Sequence, residues 1–488
     1  MDTGGENGGV PHVLIFPLPI QSPVNSMLKL AELLCLAGVH VTFLNTKHNH
    51  QRLLRSAANG DVESRFDRYP GSFRFEVISD GFPEDHPRSV EDFLDVVNSL
   101  QTVAEPHLRE VLLRPPESGR KVTCAVVEAV FSYVFEIGKE VGVPVFAFET
   151  ISPCCLGVYL CIPKLFQDGK LPLIKGEDLE TVVDVVAGME GVLKVRDLPE
   201  FCRTEGPRAE KSRKLAMAEI HSLSKLAHGL ILNSFEELEG PILPHIRTHF
   251  PGNTYMIGPV QQHLKTRLAE REITQSPSSN SFWREDKTCI QWLDEQPDES
   301  VIYVSFGSLN TLTMAQLMEV WHGLVASAVR FLWVLRPDIV KDNLSSDQNL
   351  VTELKKGCSE NGQIVSWAPQ EEVLAHRAIG GFWTHSGWNS TLESIIAGKP
   401  MICSAQIVDQ LITRRVVSEV WKIGVDMEDK CDRLSIEKMV KEVMGSRGQE
   451  LKKSAQKFSK LARESVNNGG SSYTNLDHLI NEIRRLSS

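Results

Sequence analysis

Residues 367–410 read WAPQEEVLAHRAIGGFWTHSGWNSTLESIIAGKPMICSAQIVDQ. The apolar run IGGFW at 379–383 has the length and bulk of a buried parallel strand. It passes through the small and polar residues THSGWNS into the helix-like run TLESIIAG. A strand that turns directly into a helix leaves the first backbone N–H groups of that helix available to an anion. The segment therefore predicts a strand–turn–helix unit with an anion-binding site at the turn.

The side chains around this turn indicate the kind of anion. Gly387 allows a ligand to approach the backbone closely, and His385, Asn389 and Ser390 offer hydrogen-bonding groups beside it. Glu393 lies one turn into the helix, where a carboxylate can accept hydrogen bonds from a sugar diol. This combination favours a site for a phosphorylated sugar or a nucleotide.

The same 44 residues resemble the signature box of the plant secondary-metabolite UDP-sugar glycosyltransferases, which has the same length. The agreement extends over many fixed spacings, and extended motifs are far more specific than short ones. The resemblance implies one set of donor-binding residues: Ser308, Trp367, Ala368, Gln370, His385, Gly387, Trp388, Asn389, Ser390, Glu393, Asp409 and Gln410.

The resemblance also implies a role for most of these side chains. In the family, Trp367 would stack on the uracil, Gln370 would hold the nucleoside, and Glu393 would take the ribose hydroxyls. The diphosphate would be bound by three residues at the turn: His385, Asn389 and Ser390. The turn after a strand at 301–305 would back the diphosphate, although its Ser308 could equally be a plain helix cap.

Three residues would face the sugar: Trp388, Asp409 and Gln410. A final Gln is usual in family members that use UDP-glucose. The sequence departs from the family at residues 404–405, where Ser-Ala replaces Trp-Pro, and at residues 406–407, where Gln-Ile replaces an aromatic pair. These changes leave the nucleotide contacts alone and affect the wall that faces the sugar.

The composition is that of a globular protein of more than one domain. The chain has 488 residues, of which 42% are hydrophobic and 24% charged. A net charge of −11 argues against a nucleic-acid partner. The N-terminus lacks the layout of a signal peptide, and no apolar run is long enough to span a membrane. The ten scattered cysteines are typical of buried thiols in a reducing compartment, so we expect a cytoplasmic protein. We also expect a monomer.

Alternating strand and helix patterns predict an α/β protein with parallel sheets. Strand candidates lie at 12–16, 39–45, 73–78, 124–130, 143–149, 228–233, 301–305, 330–335, 362–367, 379–385 and 399–404. The polar stretch after residue 258 indicates an exposed linker. The predicted domains are an N-terminal Rossmann-like domain (1–258), the linker (259–288), a C-terminal Rossmann-like domain (289–455), and a terminal helix that packs back on the first domain (456–488).

The resemblance to the family implies the GT-B architecture, in which two Rossmann-like domains face each other across a cleft and the first binds the acceptor. Five residues are candidates for contacting the acceptor: Gln21, Ser22, Phe82, Glu149 and Tyr159. For an apolar side chain such as Tyr159, a plain core position is the alternative. The runs HVLIFPLP, NSMLKLAELL and HVTFLNTKHNHQRLL most resemble glucosyltransferases that act on iridoids such as 7-deoxyloganetic acid.

The resemblance fails where the family keeps its general base. Members usually read Pro-x-x-x-Gln-Gly-His after the first strand, and that His deprotonates the acceptor during an inverting displacement. A later Asp orients the His. Here Pro23 stands at the His position and Glu128 at the Asp position. A structural alternative is a capped helix, predicted over about 24–37, in which Ser22 is the cap and Pro23 lies in the first turn.

Three functional hypotheses account for the missing base. The acceptor oxygen could itself be acidic, as in a carboxyl, lactol or enol group. Glu128 could act as the base. The chain could instead be a pseudo-enzyme that binds a UDP-sugar as a sensor or scaffold. The sequence favours the first: an inverting, metal-independent transferase with UDP-glucose as co-substrate, no permanently bound cofactor, and a small lipophilic terpenoid, iridoid or phenolic acceptor.

Overall fold

The fold consists of two compact α/β units, each built on its own parallel sheet. The computed structural model describes residues 9–56, 64–86, 88–113, 121–172, 179–184, 186, 189–250, 252–273, 281–340, 353–354, 356–358, 361–428 and 430–488. Unit 1 comprises Met1–Pro163, Glu205–Phe282 and Glu464–Ser488, and unit 2 comprises Lys164–Thr204 and Trp283–Arg463. The predicted α/β class with two Rossmann-like domains is confirmed.

Unit 1 contains a seven-stranded sheet in the order β3-β2-β1-β4-β5-β6-β7, within the described residues. Its strands are β1 (His12–Phe16), β2 (His40–Thr46), β3 (Phe73–Ile78), β4 (Cys124–Glu128), β5 (Val145–Glu149), β6 (Gly229–Leu232) and β7 (Asn253–Met256). The strand order reverses between β1 and β4, which pair in parallel with Phe16 opposite Val127. In sheets of this type, ligands bind beyond the carboxyl ends of the strands at that reversal.

Unit 2 contains a six-stranded parallel sheet in the order β10-β9-β8-β11-β12-β13, again within the described residues. Its strands are β8 (Val301–Ser305), β9 (Arg330–Val334), β10 (Gly362–Val365), β11 (Ile379–Thr384), β12 (Met401–Cys403) and β13 (Gly424–Asp426). The reversal lies between β8 and β11, where Ser305 pairs with Thr384. The turns that follow these two strands therefore meet at the position where an α/β sheet binds its ligand.

Helices connect the strands and cover the sheets. Those of the first half are α1 (Gln21–Leu36), α2 (Lys47–Ser56), α3 (Phe93–Leu113), α4 (Ser132–Val141), α5 (Pro153–Gln167), α6 (Glu200–Arg203), α7 (Pro207–Lys225), α8 (Glu236–Glu239), α9 (Leu243–His249) and α10 (Val260–Ala269). Those of the second half are α11 (Thr288–Asp294), α12 (Met314–Ser327), α13 (Gln370–Ala375), α14 (Trp388–Ala397), α15 (Asp409–Arg415), α16 (Arg433–Met444), α17 (Ser446–Ser465) and α18 (Ser471–Arg485).

The first part of the segment predicted as an exposed linker is a packed helix in the structure. Residues 260–269 form α10, which packs on α1 and buries apolar side chains such as Val260, Leu264 and Leu268. The prediction was wrong there because these three residues recur at helical spacing among polar ones. Residues 274–280 of the predicted linker and residues 1–8 lie outside the described residues.

The terminal helix α18 belongs to unit 1 and packs on β7. Its Glu482 carboxylate lies 2.8 Å from the His228 ring, and its Asp477 accepts a 2.7 Å hydrogen bond from Arg267. These contacts explain why the compact units do not follow the chain in two simple halves. In the part of the chain that is described, no helix combines the length and the apolar character that crossing a membrane requires.

Candidate functional site

Two turns meet at the strand reversal of unit 2, and both are shaped around the ring of His385. Gly307 follows β8 with φ +72°, and Gly387 is the N-cap of α14. A Cβ atom on either glycine would collide with the His385 imidazole. The His385 imidazole therefore packs against the backbone at Gly307 and Gly387, where a larger residue would not fit. Gly387 has no side chain with which to cap α14. The first N–H groups of a helix point out of its N-terminus, which here is the turn that the sequence assigns to a diphosphate.

The environment keeps His385 neutral near physiological pH. Burial, followed by the nearby Arg336 guanidinium, lowers the pKa of His385 to about 4, and a hydrogen bond with the backbone of Ser305 offsets part of this effect. A neutral imidazole can donate one hydrogen bond and accept another.

Arg336 is a residue of this region that the sequence reasoning missed. It lies just beyond β9, is 2% exposed, and donates hydrogen bonds to the backbone carbonyls of Gly307 and Asn310. Its Nε donates a 3.0 Å bond to Asp338. The guanidinium thus fixes the turn after β8. The available signal was a lone arginine at the end of the apolar run FLWVL, because a charge beside a buried strand usually has a specific partner.

Gln370 organises the predicted nucleoside contacts into one network. Its side-chain nitrogen donates to Ser390 Oγ at 2.8 Å and to Glu393 Oε2 at 2.6 Å. Its side-chain oxygen accepts a 3.2 Å hydrogen bond from the hydroxyl of Tyr303 on β8. The structure therefore brings together three sequence-predicted residues that span 23 positions and adds Tyr303, which the sequence reasoning missed.

Asp409 and Gln410 begin α15 beside a strained residue. The amide of Gln410 pairs with the amide of Asn310 through two hydrogen bonds of 3.1 Å. Burial raises the pKa of Asp409 to about 7, although the backbone N–H groups of Asp409 and Gln410 partly counteract it. Val408, which precedes them, has φ 45°, a conformation that β-branched residues rarely adopt. Strain of this kind concentrates at functional sites.

The tryptophans of the box occupy different environments. Trp367 is half-buried, stacks on Trp283 with 6.0 Å between ring centroids, and accepts a hydrogen bond from the backbone of Asp286. Trp388 is 2% exposed and its ring lies 6.1 Å from that of Trp421. Ala368 is buried, whereas Asn389 is half-buried at the start of α14. Contact of these residues with a donor stays a prediction.

Ser308 is not a helix cap. The next helix, α12, begins at Met314 and is capped by Thr313, whose hydroxyl accepts from the backbone of Gln316. The side chain of Gln316 accepts from the backbone of Thr313 in return, which completes a capping box. Ser308 instead lies in the turn after β8, where its hydroxyl is half-buried next to Gly307.

In unit 1, Pro23 lies in the first turn of α1 and is buried. The helix begins at Gln21 with Ile20 as N-cap and without a side-chain cap, so the predicted capping by Ser22 is wrong. Proline fits here because the N–H groups of the first turn have no partner within the helix. The side-chain oxygen of Gln21 accepts a 2.6 Å hydrogen bond from the backbone of Phe282.

Glu128 ends β4, the strand next to β1 at the reversal of unit 1. Its carboxylate accepts a 2.9 Å hydrogen bond from the Thr150 hydroxyl and a 3.0 Å bond from the Val130 backbone. The two bonds reach different oxygens and therefore fix the plane of the carboxylate. Glu128 thus lies on one strand of the reversal, β4, and Pro23 lies on α1, the helix that follows the other strand, β1.

The remaining acceptor candidates lie at the carboxyl ends of neighbouring strands or on the following elements. Glu149 ends β5 and is 1% exposed; burial, followed by the Glu219 and Glu128 carboxylates, raises its pKa well above the usual range. Tyr159 is buried on α5. The ring of Phe82, in the loop after β3, lies 4.3 Å from the His86 ring. Their contact with an acceptor stays a prediction.

Comparison with known proteins identifies the family. The family model described as UDP-glucoronosyl and UDP-glucosyl transferase matches residues 280–466. A 7-deoxyloganetic acid glucosyltransferase of Catharanthus roseus is 47% identical, with 99% of each chain covered. A myricetin 3-O-rhamnoside 1,2-glucosyltransferase of Crocosmia x crocosmiiflora is 41% identical, with 98% of this chain and 96% of that one covered.

Among solved structures, Os79 from O. sativa in complex with UDP superposes with a TM-score of 0.78 at 27% identity, covering 96% of this chain and 100% of that one. The likeness therefore extends over both units and is not confined to the signature box. With these relatives, with its two Rossmann-like units and with the turns at their strand reversals, the chain belongs to the plant UDP-sugar glycosyltransferases and is a glucosyltransferase-type enzyme of the GT-B fold.

Proposed function

We propose that this enzyme transfers glucose from UDP-glucose to a small iridoid-like acceptor through an oxygen that is acidic on its own. The observation that carries the proposal is the buried Pro23 in the first turn of α1, at the position where the family places its general base. Proline has no group that accepts a proton. An acceptor oxygen that loses its proton readily needs no such group.

The donor half of the proposal rests on the networks in unit 2. The Gln370–Glu393 pair presents a carboxylate beside an amide, which suits the adjacent hydroxyls of a ribose. The N-terminus of α14, which begins after Gly387, and the neutral His385 provide donors for a diphosphate. These groups stabilise negative charge as it develops on the leaving UDP, so they supply catalysis that does not depend on a base.

The part of the proposal that concerns the acceptor rests on Pro23 of unit 1 and on the name of one relative. The 47% identical relative acts, by its name, on an acid. Carboxylic acids lose their proton well below neutral pH, and the ionised oxygen then attacks the anomeric carbon directly. The bond from that carbon to the UDP oxygen breaks as the new carbon–oxygen bond forms, the configuration inverts, and UDP leaves with the electron pair. Missing general-base assistance costs about 10²–10⁴-fold in rate, which an acidic oxygen can offset.

Product analysis tests this proposal. The purified enzyme is incubated with UDP-glucose and a matched panel of iridoid and phenolic acids, lactols, enols and simple alcohols, and products are identified by mass spectrometry. Treatment with mild alkali then separates the products by linkage, because it cleaves a glucose ester but leaves a glycoside intact. We expect acidic acceptors to be glucosylated and simple alcohols to remain unchanged. Equal rates for alcohols and acids of similar size would contradict the proposal.

A second candidate function is a UDP-sugar sensor, and the same Pro23 favours it because the base is absent. It makes the opposite prediction in the same experiment. Tight binding of UDP-glucose with no transfer to any acceptor of the panel would support the sensor and exclude the transferase.

We further propose that the enzyme acts as a monomer in the cytoplasm. All ten cysteines are free thiols and nine of them are buried, as expected for a protein in a reducing compartment. The donor networks around Gln370 and Gln410 are each completed by residues of one chain. Light scattering after gel filtration checks the monomer, and a dimer mass would contradict it. Fractionation of plant cells checks the location, and recovery in a secreted fraction would contradict that part.

A further inference from the structure

Three metal-ligand side chains converge in unit 1, and none of them is among the donor-binding or acceptor-binding candidates. Cys161 lies on α5, and His245 and His249 lie one turn apart on α9. One ligand atom from each of the three residues lies within 4.8 Å of the other two. The i, i+4 spacing places both imidazoles on one face of α9, and that face is turned towards Cys161.

A glycine allows the two helices to approach closely at this point. A Cβ atom on Gly157 would lie 3.0 Å from two side-chain atoms of Ile242 and 3.5 Å from the His245 ring. The missing side chain thus lets His245 reach α5. Its Nε2 lies 3.2 Å from the Cys161 sulfur and 3.2 Å from the Gly157 carbonyl oxygen.

The distances are close to those of a tetrahedral zinc site. With zinc–sulfur bonds of about 2.3 Å and zinc–nitrogen bonds of about 2.0 Å, ligand atoms stand roughly 3.3–3.6 Å apart. The contact of 3.2 Å between His245 and Cys161 is a few tenths of an ångström shorter than this, so a bound ion would move the two atoms only slightly apart. A separation of 4.8 Å in the cluster would have to close by about 1.2–1.5 Å, which side-chain rotation of His249 can supply because that ring is half-buried.

The two imidazoles of the cluster are also in contact. Their ring centroids lie 5.0 Å apart, with 62° between the ring planes. A cation between them would replace this ring–ring contact by two coordinate bonds.

We propose that Cys161, His245 and His249 form a binding site for a thiophilic divalent cation, with Zn²⁺ as the ion that fits one thiolate and two imidazoles best. Water or the Gly157 carbonyl would complete the tetrahedron. The bound ion would join α5 to α9 and stabilise unit 1. It shares no residue with the donor networks, so it would act on stability and not on the sugar-transfer chemistry.

The sequence alone could not reveal this site. Cys161 and His245 are separated by 84 positions, and no Cys-x-x-Cys pair marks either helix. The only local signal is the histidine pair at i, i+4, which is more often an ordinary surface feature.

Cobalt substitution tests the site with the full-length enzyme after treatment with a chelator. Titration with Co²⁺ should produce a thiolate-to-cobalt charge-transfer band together with the visible bands of a tetrahedral ion, at one equivalent per chain, and Zn²⁺ should displace both. Cys161→Ser should abolish the charge-transfer band, and His249→Gln should weaken binding at least tenfold. Zn²⁺ should raise the thermal midpoint of the unmodified enzyme and leave that of Cys161→Ser unchanged.

Two matched variants act as controls. Cys431→Ser removes a half-buried thiol of unit 2, and His221→Ala removes an exposed histidine of unit 1; both should retain the full signal. If Cys161→Ser does not fold without metal, His249→Gln, at a half-buried position, decides the question. A charge-transfer band that persists in Cys161→Ser, an unchanged Co²⁺ affinity in His249→Gln, or the absence of a thiolate band in the unmodified enzyme would overturn the proposal.

Discussion

The side-chain amides of Asn310 and Gln410 exchange two hydrogen bonds of 3.1 Å although they are 100 positions apart in the chain. The oxygen of Gln410 also accepts from the backbone N–H groups of Gln406 and Ile407 at 3.2 and 3.4 Å. The backbone carbonyl of Asn310 is in turn bound by Arg336. Gln410 therefore fixes the loop before α15, including the strained Val408, in addition to any contact with the sugar.

Replacing Gln410 should impair sugar transfer more than nucleotide binding. Gln410→Ala leaves the buried Asn310 amide without its partner, which should lower the free energy of unfolding by about 1–3 kcal/mol. The loop at 404–408 should loosen and turnover with UDP-glucose should fall at least tenfold. Calorimetry with UDP and steady-state kinetics with UDP-glucose measure the two effects separately.

The double variant decides whether the amide pair is the cause. If Asn310 and Gln410 act together, Asn310→Ala combined with Gln410→Ala should destabilise by less than the sum of the single variants, with a coupling of about 0.5–3 kcal/mol. Additive effects, or a loss of UDP affinity as large as the loss of turnover, would contradict the positioning role.

Glu393 should matter for UDP binding. Its carboxylate receives the Gln370 amide at 2.6 Å and lies one turn inside α14. Glu393→Ala should weaken UDP binding at least tenfold, because the ribose hydroxyls would lose a charged hydrogen-bond acceptor. A hydrogen bond to a charged group contributes about 1.5–3 kcal/mol. Isothermal titration calorimetry measures the affinity. Glu372→Ala, an exposed carboxylate on the neighbouring α13, is the control and should bind UDP normally. Equal affinities for both variants would refute the prediction.

A methyl group at Gly387 should disturb the diphosphate turn. Its Cβ would collide with the His385 ring, so the ring must move or the turn must open. We expect Gly387→Ala to cost about 1–3 kcal/mol in stability and to weaken UDP binding strongly. Thermal unfolding with and without UDP measures both. Gly240→Ala is the control, since Gly240 has φ −53° and a Cβ atom there would meet only an ordinary 3.6 Å contact with Glu236. Normal UDP affinity in Gly387→Ala would show that the fit of His385 is not needed.

The signature segment was predictable because its information is local. The apolar run at 379–383 became β11 and the following run became α14, which ends at Gly398 in the left-handed conformation that glycine favours. Strands β7 and β13 escaped prediction. They are short, of four and three residues, and their burial comes from neighbours that are distant in sequence.

The partners within the site were harder to predict than its position. Arg336 reaches the turn after β8 because β9 lies beside β8 in the sheet. Asn310, which lies in that turn, meets Gln410 because α15 begins close to it. Nothing in the local sequence of either residue encodes that adjacency. The opposite error occurred at Ser22, where a favourable local capping pattern is not used because the helix begins two residues earlier, at Gln21 with Ile20 as its N-cap.

Asp409 should make stability and turnover depend on pH. Its pKa is about 7 in the folded protein and near 3.9 when unfolded, so the folded state binds more protons between these values. Its contribution to the free energy of unfolding therefore falls as pH rises from 4 to 7. Asp409→Asn removes this penalty and should be more stable than the unmodified enzyme at pH 8 by on the order of 1–3 kcal/mol. Its turnover with UDP-glucose should nevertheless be lower.

Urea unfolding at pH 5 and pH 8 measures this effect as the difference between variant and unmodified enzyme, which cancels other titrating groups. Asp298→Asn is measured beside it as the surface control, because it removes a carboxylate that is 73% exposed and paired with Arg377. An advantage of Asp409→Asn that is equal at both pH values would contradict the raised pKa.

The final prediction separates the explanations for the missing base. If the acceptor oxygen is acidic on its own, rates across matched acceptors should increase with acceptor acidity, and the pH profile should follow the ionisation of the acceptor. Pro23→Ala should then change kcat/KM by less than about threefold, because the proline contributes only to the first turn of α1. Pro23→His should add little with the native acceptor but should allow transfer to phenols or simple alcohols.

Substitution of Glu128 tests whether its carboxylate is the base or only positions the acceptor. Thr150 and Val130 orient its carboxylate, so Glu128→Gln keeps the shape but removes the charge and the capacity to take a proton. We expect a measurable loss of turnover with unchanged UDP affinity. If Glu128 were the base, the loss should approach 10²–10⁴-fold and should shrink for the most acidic acceptors. If it only positions the acceptor, the loss should be equal across the acidity series, and Thr150→Val should reproduce part of it. Rates that do not vary with acceptor acidity in the unmodified enzyme would rule out the acidic-acceptor mechanism, since a proton would then have to leave by another route.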